Sequence, residues 1–209
     1  MQGSTAGTVP DVVVASGPAK AGARAGARDR ILDVAYDMFC RHGIRAVGVD
    51  TVVERSAVAK MSLYRHYPSK ESLVLAVMRQ REQIWTRDWL QAQALARGTT
   101  PREQLLAIFD VFDGWFRKKT FEGCLFINVL LEIDDRRDPL HIAACGHLAN
   151  IRAFIAELAR DAGIVDPEEL AHTWHILMKG SIVAAAEGDR KAALRARQVA
   201  VLILNSHRV

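Results

Sequence analysis

The chain reads as an all-α protein of about nine helices, the first three short and grouped as an N-terminal helix-turn-helix, the rest longer. Three observations carry that reading. From Arg28 onward, apolar residues recur three and four positions apart, the period of one helix face. Glycine and proline fall between these stretches, glycine where a helix would stop and proline where one would begin. No stretch alternates as a strand does, and no segment repeats at a fixed length.

Residues 1–27 stand apart. They hold five of the fourteen glycines and two of the six prolines, mixed with alanine, serine and threonine and without sustained period, so they read as a flexible arm. In the first helix Ile31, Ala35, Met38 and Phe39 share a face, and Gly43 supplies the stop. A second short helix follows Gly48 and turns Val49, Val52 and Val53 inward. Ser56 to Ala59 is a brief break, Lys60 to Tyr67 a third helix, and Pro68 ends it, having no N–H to donate. Ser69 caps a long fourth helix with Leu73, Val77, Ile84 and Trp85 facing inward and Gly98 at its close. Pro101 opens the next, whose inner face is Leu105, Ile108, Phe109, Phe112 and Phe116. Gly123 precedes a compact apolar segment from Cys124 to Ile133. Asp138-Pro139 starts a long helix with Leu140, Ala144, Leu148, Ile151, Ile155 and Leu158 on one side, ended by Gly163. Asp166-Pro167 starts another, through Leu170, Trp174, Leu177 and Ser181 to Gly188, and Asp189 caps a last helix ending near Ser206. The expected organisation is the arm at 1–27, a helix-turn-helix domain at 28–73 and a helical domain at 74–209.

Composition narrows the function classes. Half of the 209 residues are hydrophobic, enough for a sizeable core. The longest late apolar run, Val199 to Leu204, is far short of the roughly 18 residues of a membrane span. The N-terminus offers only Val12 to Ala15 as an apolar run, so no signal peptide and no membrane partner are expected, and the expected location is the cytoplasm. Cys40, Cys124 and Cys145 are odd in number and far apart, which reads as free thiols in a reducing compartment. No G-x-G-x-x-G, G-x-x-x-x-G-K-[ST] or H-E-x-x-H string occurs; Gly17 to Gly22 has the phosphate-loop spacing, but Ala23 stands where lysine is needed. Neither an enzyme nor a cofactor is expected. The net charge of +4 comes from 28 basic and 24 acidic residues. Two windows each carry the whole surplus: 55–70, with Arg55, Lys60, Arg65 and Lys70, and 189–209, with Arg190, Lys191, Arg195, Arg197 and Arg208 against Asp189. Charge alone nominates both.

Residue order separates them. The third helix reads Lys60-Met61-Ser62-Leu63-Tyr64-Arg65-His66-Tyr67, with Leu63 as the inward anchor and polar or amphipathic groups nearly everywhere else. A helix of that width fits the DNA major groove, where Lys and Arg meet guanine acceptors, Ser reaches base edges and an apolar group touches a thymine methyl. Tyr64 and His66 suit phosphate oxygens, and Lys70 opens the next helix, whose free N–H groups and positive dipole end favour an anion. A solvated face of a small bundle, or a helix-turn-helix used for protein contacts, would show similar charge. In contrast, the last window hangs its cations on a helix whose other face is apolar, where they serve solubility or salt bridges. Lys20 and Arg24 in the arm either reach a minor groove or belong to a solvated tail.

The string Leu63-Tyr64-Arg65-His66-Tyr67, with Ala35, Phe39, Gly43, Val49, Val52, Val58, Ser69-Lys70-Glu71 and Leu73 in order around it, resembles the tetracycline-repressor (TetR) family of bacterial regulators. The resemblance implies an all-helical homodimer with an N-terminal DNA-binding domain and a C-terminal domain that dimerises and binds a small effector. Carried over by position, Lys60, Met61, Ser62 and Arg65 would face bases or flanking phosphates, and Tyr64, His66 and Lys70 would hold the backbone, with Tyr67 beside them. Two positions depart from the family pattern: Ala57 stands where the turn usually has glycine, and Gly48 where a hydroxyl residue usually caps the second helix. A phosphate contact there would come from a backbone N–H or from Thr51.

Beyond residue 100, Gly123-Cys124-x-Phe126-x-Asn128-x-x-x-Glu132 also resembles one branch of that family. The resemblance implies that the last two helices pair with their copies. Small Gly180, Ser181, Ala184 and Ala185 allow close approach, and Val199, Leu202 and Ile203 give the final helix an apolar face. Candidate effector contacts are Phe109, Phe112, Phe116, Phe126, Asn128, His141, Cys145, Trp174, His175 and Met178. His141 with Cys145, and His172 with His175, have half the spacing of a metal site each, but satisfied histidines and a buried thiol are the plainer reading, so no metal is expected. The expected function is a repressor whose affinity for double-stranded operator DNA is changed by an unidentified small-molecule effector. Alternatives are a regulator responding to thiol oxidation or metal, or an activator.

Overall fold

Nine helices and no strand make up the described residues, 26–207, of this computed structural model. The arm lies outside the described residues except for Gly26 and Ala27, as do Lys20 and Arg24, and Ala27 already belongs to the first helix. That helix, α1 (Ala27–His42), packs on α2 (Val49–Ser56) and α3 (Lys60–His66) around Ile31, Ala35, Phe39, Val52 and Leu63, all essentially inaccessible to water. Burial of the larger four of these side chains contributes about 1.5–3 kcal/mol each before chain entropy is counted.

The turn between α2 and α3 has the backbone that glycine would supply most cheaply. Ala57 sits at φ 52° and ψ 45°, and among the described residues it is the one non-glycine with positive φ. The left-handed conformation costs an L-residue about 1–2 kcal/mol, and the stop of α2 is met here at that cost.

Helix α4 (70–97) connects this unit to the rest. Its start is a reciprocal cap: the Ser72 N–H donates to Ser69 Oγ at 3.0 Å, and the Ser69 N–H donates to Ser72 Oγ at 3.1 Å. After Lys70–Arg81 the winding widens to π over Glu82–Gln91, then returns to α over Ala92–Arg97. The wider turn changes which side chains face inward. Arg81, Trp85, Thr86, Trp89, Leu90 and Ala94 are buried, whereas Ile84, placed inward by a 3.6-residue period, is only half-buried. Gly98 follows, buried where a Cβ would strike the backbone of Gln104.

The remaining helices are α5 (Pro101–Phe116), α6 (Leu125–Glu132), α7 (Pro139–Asp161), α8 (Pro167–Ala186) and α9 (Ala192–Ser206). Thr100 and Glu103 cap α5 reciprocally, Asp138 caps α7 through the Leu140 N–H at 2.7 Å, and Asp166 caps α8 through the Glu169 N–H at 3.1 Å. Asp189 is not the cap of the last helix. Lys191 is, and Asp189 acts just before it by accepting the Lys191 N–H at 2.9 Å. Helices α7 and α8 pack along their length, α9 lies on α5 and α8, and α6 is pressed against α7. Between α4 and α5, the rings of Trp85, Trp89, Phe112, Trp115, Phe116 and Phe121 form a continuous cluster with neighbouring centroids 4.9 to 6.0 Å apart. Contrary to the run-length expectation, α7 is long and apolar enough to cross a membrane by length and composition, with 23 residues and a mean hydropathy of 1.2 over its best window. Leu140, Ala144, Leu148, Ile151, Ile155 and Leu158 are buried in the bundle, which accounts for that hydropathy.

Candidate DNA-reading site

Leu63 pins α3 from below, and the opposite face is left in solvent. Met61 is 76% exposed and Tyr64 40%, extents that a thioether and a phenol do not take up for packing. Lys60, Arg65 and His66 are exposed beside them, and Ser62 is half-buried. Arg55 and Arg65 have no carboxylate within ion-pair distance among the described residues. Lys60 does: its Nζ lies 2.7 Å from Asp50 Oδ1, and the hydrogen bond and charge of that carboxylate raise the lysine pKa. At the rim, Gly48 precedes α2 in an extended conformation with no side-chain cap, and Thr51 is exposed in the first turn.

Tyr67 corrects the sequence reading. Its side chain is buried at 4% exposure and its hydroxyl donates to the Arg28 carbonyl at 3.4 Å, so the ring joins α3 to α1 and does not face outward. Position 67 falls one turn after Leu63, on the inward stripe, which overrides the polar tip of the residue.

Lys70 is the first residue of α4 and is half-buried. Burial lowers its pKa, partly opposed by the charge of Glu132. Glu132 is a residue whose job the sequence did not disclose. It ends α6, and its carboxylate accepts the Ile44 N–H at 3.2 Å and the Arg45 N–H at 2.8 Å in the α1–α2 turn. Gly43, at φ 80°, makes room for it: a Cβ there would lie 2.5 Å from Glu132 Oε1. A second tie was also missed. Arg81, buried, donates to Tyr36 Oη at 2.9 Å and to Glu122 Oε1 at 3.0 Å, with its guanidinium 5.8 Å from the Tyr36 ring centre and 5.6 Å from that of Trp85. Both ties join α1 to segments of the C-terminal half.

Of the candidate effector contacts, Phe109, Phe112, Phe116, Phe126, Trp174 and Met178 are buried in one hydrophobic core. Phe112 and Phe116 belong to the aromatic cluster, Phe109 packs on Trp174 at 5.4 Å, and Phe126 stacks on His147 at 4.8 Å. Met178 and His175 are buried, Asn128 is half-buried and Cys145 is exposed. His141 uses Nδ1 on the Ile133 carbonyl at 2.9 Å. Trp85 and Trp174 bury their indole N–H groups without a hydrogen-bond partner among the described residues. Among those residues, no three His, Cys, Asp or Glu side chains come together as a metal site. On the last two helices, Gly180 is exposed with open space around it, Val199 is 43% and Leu202 68% exposed, and Ala184 and Ile203 are half-buried. Ser181 departs from that face. It is buried and donates to the Met178 carbonyl at 2.8 Å within its own helix.

An anchored α3 with a cationic outer face, set across a tight turn from α2, defines a helix-turn-helix DNA-binding protein. Comparison with known proteins gives the family. The family model for bacterial regulatory proteins of the tetR family matches residues 31–77, and that for the tetracyclin repressor-like C-terminal domain matches residues 101–200. The HTH-type transcriptional regulator YjdC of Escherichia coli (strain K12) is 24% identical over 158 residues, 74% of this chain and 81% of its own. The HTH-type transcriptional repressor KstR2 of Mycolicibacterium smegmatis is 34% identical over 85 residues, 39% of each chain. Among solved structures, a TetR-family transcriptional regulator from Streptomyces coelicolor superposes with a TM-score of 0.80 at 25% identity, covering 87% of this chain and 89% of that one. A tetR transcriptional regulator from Streptomyces avermitilis does so with a TM-score of 0.78 at 26% identity, covering 88% and 98%. This chain belongs to the TetR family of helix-turn-helix transcriptional regulators, which bind operator DNA, act as dimers and are not enzymes.

Proposed function

We propose that this chain is a repressor that binds its operator as a homodimer and whose operator affinity is changed by a small-molecule effector held in the C-terminal helical domain, with the reading head at 28–73 and the effector and dimer functions at 74–209. The observation that carries the reading is the outer face of α3, where Met61, Tyr64 and Arg65 stand in solvent around the buried Leu63. In this reading Lys60, Met61, Ser62 and Arg65 meet base edges and the phosphates beside them. Tyr64, His66 and Lys70 hold phosphates, with the Gly48 backbone and Thr51 at the rim. Lys60 must exchange its Asp50 partner for DNA, which trims its contribution.

Dimerisation through α8 and α9 is supported by exposed apolar residues on both: Ile176 at 64% and Val183 at 47% flank Gly180, opposite Val199 and Leu202. Ala184 and Ile203 border this face. A twofold pair presents two reading heads, and operator half-sites must match their separation, about one helical turn of DNA or a multiple. An effector that prefers another separation lowers operator affinity by its preference between the two states. Burial pushes the Cys40 pKa up to about 12 and raises that of Cys124 as well, so both are held as thiols, which weighs against an oxidation trigger at these positions.

The test is retention of DNA fragments from upstream of the chain's own gene. Binding at low salt that falls steeply as salt rises is expected, because each displaced phosphate counterion adds to the slope. Failure to retain any such fragment at low salt overturns the reading.

A further inference from the structure

The C-terminal part of α7 and the first turns of α8 flank an open cleft of about 310 Å³. Its volume is about ten times a water molecule's share of the liquid, room for a ligand of roughly a dozen non-hydrogen atoms. Ala153, Ala156 and Ala171 contribute methyl groups to the lining, and Arg152, Glu157 and His172 contribute polar ones. Arg160 and Glu168 complete it, joined across the two helices at 2.7 Å.

Arg152 is the unusual member. It is half-buried, yet among the described residues no carboxylate lies within ion-pair distance of it. Its Nη1 has only neutral acceptors at long range, the Leu148 carbonyl at 3.4 Å and His175 Nδ1 at 3.5 Å. His175 is buried below the cleft, and burial together with the charges of Lys179, Arg152 and His172 depresses its pKa to about 3. The ring is therefore neutral at physiological pH and steadies the guanidinium from beneath without cancelling its charge. A half-buried cation left without a counter-charge is unfavourable, and an anion entering the cleft relieves it.

We propose that this cleft is a binding site for a small organic monocarboxylate, with the Arg152 guanidinium taking the carboxylate and the alanine-lined wall taking an apolar body. The planar fork of arginine matches a carboxylate through two parallel hydrogen bonds. Glu157 and the Glu168 half of the ion pair disfavour a second negative charge, which selects a monoanion over a phosphate monoester. The site deepens the effector reading by naming a chemical class, but binding itself is measured without DNA, so its failure and the failure of operator binding are separate results.

Isothermal titration of the full chain with benzoate, phenylacetate and hexanoate, each against its primary amide, tests the proposal. At least one acid should bind with one site per chain and at least about tenfold more tightly than its amide. Arg152→Gln should weaken that acid by at least about tenfold, and Arg152→Lys, which keeps the charge but loses the fork, by less. Ala153→Phe fills the cleft from an exposed position, and it should abolish binding with the melting temperature retained. No binding of any of the three acids, equal binding of acid and amide, or full binding in Ala153→Phe overturns the proposal.

Discussion

Two stretches of this chain, 55–70 and 189–209, each carry four more basic than acidic residues, and they place that surplus differently. In the later stretch two guanidinium groups are matched, Arg195 at 2.9 Å from Asp189 and Arg197 at 2.9 Å from Asp110 on α5, while Arg190 and Lys191 stand exposed at the foot of α9 with no carboxylate at ion-pair distance among the described residues. The second pair bridges α9 to α5. In the earlier stretch Lys60 alone has a carboxylate at contact distance, while Arg55 and Arg65 stand exposed on α2 and α3. Net charge therefore locates nothing by itself. What marks α3 for an anionic partner is an unmatched cation standing with exposed Met61 and Tyr64 on one face of an anchored helix.

The largest effect should come from breaking that contrast directly. Arg65→Ala and Tyr64→Ala should each cost about 1–3 kcal/mol of operator affinity, whereas Arg190→Ala and Arg195→Ala should leave it within about 0.5 kcal/mol, as measured by fluorescence anisotropy at fixed salt. Arg65→Ala should also change the ranking of operator variants, and Tyr64→Ala should weaken all of them alike. Equal losses on α3 and α9 would remove the distinction between the two stretches.

The reading head, through its α1–α2 turn, is tied to an acid that lies far from it in sequence. Glu132→Ala should cost about 1–2 kcal/mol of stability, because the Ile44 and Arg45 N–H groups lose a charged acceptor. Urea unfolding measures the loss, and faster amide exchange at these two residues assigns it. Gly43→Ala should be costly in the parent chain and less so beside Glu132→Ala, since the shortened side chain withdraws the oxygen that the new Cβ would strike. Additive losses in that cycle would mean that the left-handed φ alone sets the cost. A smaller change of opposite sign is expected in the turn: Ala57→Gly should stabilise the chain by about 0.5–1 kcal/mol, the relief of left-handed strain less the entropy glycine loses on folding.

Much of this was legible in the sequence because local rules agree with the tertiary outcome. The stops at Gly43 and Gly163, the Asp-Pro helix starts and the inward stripe of α5 all follow from spacing and backbone chemistry. The outer face of α3 was legible too, since Leu63 fixes its rotation. Three things were not. The π winding of α4 moves Trp89 and Leu90 inward at the expense of Ile84, and nothing in a 3.6-residue pattern announces a wider turn. Tyr67 looks amphipathic in a string, and only its register beneath Leu63 commits it to the core. Glu132 and Arg81 act across separations of 87 and 45 residues, beyond the reach of any periodicity.

The smallest predicted effect separates the two stretches by pH. The Asp189 carboxyl is held below its ordinary range by the Arg195 hydrogen bond, with the Lys191 N–H adding to it. On the α5 cap that precedes Asp110, hydrogen bonds from Thr99 and Thr100 hold Glu103 down to about 2. A depressed carboxylate pKa contributes stability that is present above the unfolded value, near 4, and is lost as pH falls through the folded one. Lys60 is the reverse case. Its raised pKa contributes stability that is present below the unfolded value, near 10.4, and is lost as pH rises through the folded one. Lys60 and Glu103 are exposed and the Asp189 side chain is 33% exposed, so each effect is small and screened by salt. Urea midpoints followed from neutral to acid pH should fall less steeply for Asp189→Asn and Glu103→Gln than for the parent, while Asp50→Asn should flatten only the alkaline limb. If Asp50→Asn instead flattened the acid limb as strongly as Asp189→Asn does, the pairing of Lys60 would be as much a part of the fold as that of Arg195, and α3 would have one fewer cation to offer DNA.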